Sequence, residues 1–181
     1  GFAERRSSER LAAELEAEGL TVTRGVAGMP TAFIAEYGVG EGPVVAILGE
    51  YDALPALSQN AATAERSELE PGGAGHGCGH NLLGTGSLGA ALAAKRAMEH
   101  GKLPGRLRYY GCPAEENGSG KTFMARAGLF DDVDAALCWH PHDMDAAFSL
   151  RTLANKAAYF RFIGKAAHAA ASPHRGRSAL D

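Results

Sequence analysis

Pro43-Val44-Val45-Ala46-Ile47-Leu48-Gly49 is an unbroken apolar run, and it limits the possible folds more than any other segment. A strand with one wet face alternates apolar and polar residues. A run without alternation fits a strand covered on both faces. A chain containing such a strand has to supply a layer of structure on each side of its sheet.

The rest of the sequence offers those layers. Residues 3 to about 18 predict a helix, with Leu11 and Leu15 on one face and Gly19 where a C-terminal cap belongs. Thr21 to Val26 and Thr31 to Tyr37 read as short strands, divided by Gly28 and Pro30. The stretch from Ala53 to Gly79 is rich in Ala, Gly, Pro and Ser, and so long a loop inside a compact domain is usually functional or disordered. A helix is expected from Asn81 to about His100, a strand over Arg106 to Gly111, a helix over Gly120 to Ala127 and a strand over Asp134 to Trp139. This alternation predicts an α/β sandwich with a mostly parallel central sheet flanked by helices. Sites in such sheets gather at the carboxyl ends of the strands.

Near residues 150 to 156 the pattern changes. Ala157 to Ile163 reads as a new strand, and the last residues, Ser178-Ala179-Leu180-Asp181, read as the start of a helix. The expected division is a catalytic domain over 1–153 and the beginning of a small α+β lid or dimerisation domain over 154–181. Without an initial methionine, the chain reads as the N-terminal part of a longer protein.

Composition removes several classes of function. The formal net charge of −3 over 181 residues argues against a nucleic-acid groove. No apolar run approaches the roughly 18 residues that would span a bilayer. The charged opening Glu4-Arg5-Arg6-Ser7-Ser8-Glu9-Arg10 leads into no signal-peptide core, so a soluble, cytoplasmic protein is expected. The three cysteines, Cys78, Cys112 and Cys138, suit metal binding or burial better than a disulfide framework.

The chemistry concentrates in a few segments. Gly75-His76-Gly77-Cys78-Gly79-His80-Asn81 places a thiol and an imidazole two positions apart. Such a pair can hold one cation, at roughly 2.3 Å to sulfur and 2.0–2.1 Å to nitrogen for zinc. It is equally compatible with a glycine-rich turn over a buried thiol. His76 is either a partner behind the ligands or an exposed residue. In Pro113-Ala114-Glu115-Glu116 the two carboxylates follow a strand and point in different directions, so one can bind metal while the other faces a water. A solvated acidic turn would look the same. His140 ends the strand in Leu137-Cys138-Trp139-His140-Pro141 and can complete a ligand set or simply close the strand. Asp52, just past the buried strand, can orient a metal-binding histidine or cap a turn. Gly84-Thr85-Gly86-Ser87-Leu88-Gly89 has the glycine spacing of a dinucleotide motif, but it lies within a helical segment rather than directly after a strand. Small residues that let a helix approach the sheet are the better account. Cys112 and Cys138 are expected to be buried thiols.

In order and separation these segments, with Gly49-Glu50-Tyr51-Asp52-Ala53-Leu54-Pro55, Gly120-Lys121 and Gly164-Lys165-Ala166-Ala167-His168-Ala169, resemble the aminoacylase and carboxypeptidase family of dinuclear metallopeptidases. The likeness is to its amidohydrolase branch, which includes aminobenzoyl-glutamate and indole-acetyl-amino-acid hydrolases. The resemblance implies two divalent ions, zinc or manganese, held by Cys78, His80, Glu116 and His140. It implies Glu115 as general base, His168 on the lid as a group that polarises the scissile carbonyl, and Asp52 as the residue orienting a ligand. It implies a small N-acyl amino acid or dipeptide as substrate, and a homodimer formed through the lid. Two departures stand out. Asn81 replaces the Asp common after Cys-Gly-His, which leans toward the aminobenzoyl-glutamate hydrolase and dipeptidase side. The family's last histidine ligand has no counterpart here, so the fragment itself is expected to be inactive. A metal-binding homologue without catalysis is the alternative.

Overall fold

The computed structural model describes residues 1–149 and 151–180, which form two compact units, Gly1–Asp143 and Met144–Asp181. The first unit contains helix α1 (Arg5–Ala17), strands β1 (Thr21–Arg24), β2 (Phe33–Val39) and β3 (Val44–Glu50), helix α2 (His80–Gly101), strand β4 (Gly105–Cys112), helices α3 (Glu115–Gly118) and α4 (Gly120–Arg126), and strand β5 (Ala135–Leu137).

These five strands make one sheet in the order β1-β2-β4-β3-β5. Its pairing is mixed. β3 runs parallel to both β4 and β5, whereas β1 with β2 and β2 with β4 are antiparallel. The half that carries the chemistry is the parallel half, and its three carboxyl ends share one edge.

The apolar run does what its pattern predicts. Ile47 joins Ala12, Leu15, Phe33, Ala91 and Tyr109 in a core on one face, against α1 and α2. Ala46 joins Met29, Ala32, Tyr110, Cys112 and Met124 in a core on the other. Adjacent residues of a strand point to opposite faces, so a strand buried on both needs apolar side chains throughout.

Helix α2 lies very close to the sheet. A Cβ placed on Gly84 would sit 2.7 Å from the carbonyl oxygen of Glu50, and the Gly84 carbonyl accepts a hydrogen bond from the buried Tyr109 hydroxyl at 3.1 Å. The glycine-spaced segment is therefore interior to a helix, and its glycine serves close packing. The loop between β3 and α2 contains no helix or strand, and an isolated antiparallel bridge, Leu54 to Gly75, closes it on itself.

Glu115 and Glu116 follow β4, as expected, and open the one-turn helix α3, which Ala114 and Ser119 bracket in left-handed conformation, at φ 55° and 53°. Three expectations need correction. Cys138 is exposed rather than buried, because β5 is a short edge strand with an exposed surface. In the second unit, residues 157–163 form no strand, and Tyr159, Phe160 and Ile163 are exposed. A strand exists only by pairing, and the β pairing described in that unit is a single bridge between Lys165 and Arg177. A short 3-10 turn, Pro173–Arg175, lies between the two bridge residues, and no helix starts over the described residues 178–180.

Candidate metal centre

The carboxyl edge of β3, β4 and β5 and the N-terminus of α2 meet at His80, which is fully buried. Its Nδ1 lies 2.8 Å from Asp52 Oδ1. An ionised carboxylate only accepts, so Nδ1 carries a hydrogen and Nε2 is the nitrogen that faces the carboxylates. The other oxygen of Asp52 accepts the backbone N–H of Glu116 at 2.9 Å. Asp52 is itself buried and thereby ties the His80 turn to the Glu115-Glu116 turn.

Around His80 Nε2 stand three carboxylates: Glu50 Oε2 at 3.1 Å, Glu115 Oε2 at 3.8 Å and Glu116 Oε1 at 3.9 Å. The Glu50 contact is close, yet the two atoms are not aligned for a hydrogen bond, and His80 Nε2, Glu50 Oε2 and Glu116 Oε1 are all buried without a hydrogen-bond partner. Buried polar atoms without partners are costly. Three of them gathered in one place are the signature of a positively charged occupant.

Cys78 and His140 close the other side. Cys78 Sγ is 3.3 Å from His140 Nε2, and the His140 Nδ1–H donates to the Pro141 carbonyl at 2.9 Å. Both histidines thus spend Nδ1 on an oxygen and turn Nε2 inward, the tautomer that a metal ligand requires. Their rings stand edge to face, with centroids 5.5 Å apart. Cys78, His80 and His140 form one group of donor atoms mutually within 4.8 Å, and Glu50, His80 and Glu115 form another. One thiol, two imidazoles and three carboxylates, with three buried atoms unpaired, fit divalent cations.

The electrostatics agree. Partial burial, and then Glu116, Glu115 and Glu50, push the Cys78 thiol up to about 11, so a nearby positive charge is needed to make it a thiolate at neutral pH. Burial, followed by the charges of Glu50 and Glu116, raises Glu115 above the ordinary carboxylate value, while Lys121 and His80 act in the opposite direction.

The expected residues Cys78, His80, Glu115, Glu116, His140 and Asp52 therefore come together. His76 is exposed, and burial and the neighbouring His80 lower its pKa. His168 belongs to the second unit, where its Nδ1 accepts the N–H groups of Ala170 and Ala171 at 3.2 and 3.0 Å. Sequence reasoning missed Glu50. Its only signal was a charged residue ending a strand that is otherwise apolar.

The chain is 59% identical over 180 residues to one of the subunits of the p-aminobenzoyl-glutamate hydrolase of Escherichia coli, covering 99% of this chain and 37% of that protein. It is 40% identical to the mouse Xaa-Arg dipeptidase over 162 residues, covering 85% of this chain and 33% of the relative. The chain thus spans little more than a third of the length of these relatives. Among solved structures, the Bacillus subtilis YXEP protein, described as a dinuclear metal binding peptidase, superimposes with a TM-score of 0.63 at 27% identity, covering 75% of this chain and 36% of that one. The model of peptidase family M20/M25/M40 matches residues 46–171, a span that takes in most of β3, the loop, α2 and every donor named above. The chain belongs to peptidase family M20/M25/M40.

Proposed function

We propose that this chain carries the metal-binding part of a hydrolase that cleaves the amide bond of N-acyl or N-aroyl amino acids, aminobenzoyl-glutamate-like compounds foremost, or of small dipeptides. The observation that supports it most is the convergence of buried, unpaired His80 Nε2, Glu50 Oε2 and Glu116 Oε1 beside Cys78 and His140. The likeness to the p-aminobenzoyl-glutamate hydrolase of Escherichia coli supports the substrate class.

In this reading Cys78, His80, Glu116 and His140 hold two divalent ions, zinc or manganese. When bound, the ions lower the pKa of water and polarise the amide oxygen. The remaining work falls to side chains of the chain. Asp52 fixes the ring of His80 and, through the Glu116 N–H, the position of α3. Glu115 is the proton carrier. Its side chain is 40% exposed, open enough to meet water and substrate, whereas that of Glu116 is 17% exposed and turned inward. A carboxylate raised by burial and by neighbouring negative charge is a better base near neutrality than an ordinary one. It takes a proton from the attacking water and returns it to the leaving amine. His168 serves the substrate carbonyl, and residues 154–181 begin the lid through which two copies associate.

The test is Glu115→Gln in the full-length protein, assayed on p-aminobenzoyl-glutamate and on N-acyl amino acids. Hydrolysis is expected to fall by about 10²–10⁴-fold, the usual worth of a general base, with bound metal unchanged. Normal hydrolysis by the variant would remove Glu115 from the mechanism, and absence of hydrolysis by the wild type on every amide offered would remove the substrate class.

A further inference from the structure

Glu50 is the last residue of β3, its side chain only 6% exposed, and a carboxylate so deeply buried needs compensation on both oxygens. One oxygen has it: Oε1 receives the ammonium of Lys121, from the first turn of α4. The other, Oε2, has no hydrogen bond and stands 3.1 Å from His80 Nε2, which has none either. With Asp52 holding the hydrogen on His80 Nδ1, the neutral ring leaves two lone-pair atoms facing each other inside the protein. That contact is repulsive unless a positive charge lies beside it. A proton on Nε2 would not make a hydrogen bond there, since the ring N–H direction is not aligned with Glu50 Oε2. Glu115 Oε2 lies 3.8 Å from His80 Nε2, and Glu50, His80 and Glu115 each offer a donor atom within 4.8 Å of the others.

We infer that Glu50 is a further cation-facing donor of this centre, its carboxylate anchored at one oxygen by Lys121 and directed with the other toward the ion that His80 binds. The inference rests on the metal-centre reading above and adds a residue to it. Lys121 is a positioning residue, because it acts on the ion only through Glu50. A hard carboxylate oxygen beside the imidazole also suits manganese as well as zinc.

The experiment measures metal binding by the full-length protein. Manganese and zinc are loaded separately, and retained ion and dissociation constant are determined for the wild type, Cys78→Ser, Glu50→Gln and the double variant Glu50→Gln/Lys121→Met. Circular dichroism and thermal melts accompany each. The double variant removes the buried ammonium together with its counter-charge, so it remains informative if Glu50→Gln alone fails to fold. The expected result is at least a tenfold loss of affinity in Glu50→Gln that persists in the double variant. Wild-type affinity in either folded variant would overturn the inference and leave Glu50 as the counter-ion of Lys121. If Cys78→Ser loses metal while the Glu50 variants keep it, the centre stands and only this assignment falls. If the wild type binds neither ion, both fall.

Discussion

Asp52 has two oxygens and spends both on the centre, one on the ring of His80 and one on the backbone of Glu116. Asn at this position offers one acceptor and one donor, and a donor facing an N–H group repels it. Asp52→Asn is therefore expected to weaken metal binding by about 10–100-fold, the usual cost of losing a partner behind a ligand histidine. A metal titration of the folded variant checks this, and an unchanged dissociation constant would contradict it. The orienting role proposed for Asp52 could be read from the sequence because it sits in a recognisable motif just past a strand. Glu50, two residues earlier, was not. A carboxylate at a strand end reads as solvated, and only the closeness of α2 and α4 puts it out of reach of water.

Among elements, the contact between α2 and β3 sets the position of His80, because that residue opens the helix. Gly84 permits the contact, and its neighbour there is backbone, the Glu50 carbonyl, which cannot swing aside. Gly84→Ala gains helix propensity but forces the helix off the sheet, with an expected net loss of about 1–3 kcal/mol. Gly89, on the same helix, has open space around it, and Gly89→Ala is expected to stabilise by about 0.5–1 kcal/mol. Urea unfolding midpoints of the two variants should move in opposite directions. Movement in the same direction would show that the helix tolerates displacement. The pattern of residues 80 to 101 made this helix readable within one residue at each end. The one-turn α3 could not be read, since the Ala114 and Ser119 that delimit it are left-handed, against the preference of both residues.

For the whole first unit, acidic protons buried in the core set an upper limit of pH. Burial pushes the Cys112 thiol up to about 12 and raises Tyr51 and Tyr109 well above the ordinary phenol value. In each case the folded state favours the protonated form. The stabilisation is complete below the unfolded-state values, about 8.5 for a thiol and about 10 for a phenol, and is lost as pH rises through them toward the folded values. The melting temperature is expected to be flat from pH 7 to about 8.5 and then to fall steadily to pH 11, with tyrosinate absorbance appearing together with unfolding. A melting temperature that stays level to pH 11 would contradict the burial of these groups. At this scale the layered α/β plan was legible from one apolar run and the alternation around it. The antiparallel half of the sheet was not, because pairing direction leaves no mark on strands this short, and neither was the lack of pairing in 157–163. The bridge that Asp52 makes from the end of β3 to His80 and Glu116 also has a consequence in time. The residues it joins are far apart in the chain, so no local segment assembles the centre alone. On the metal-centre reading proposed above, an ion would find its full set of donors only once β3, α2 and α3 have come together, so a bound ion would mark completed folding.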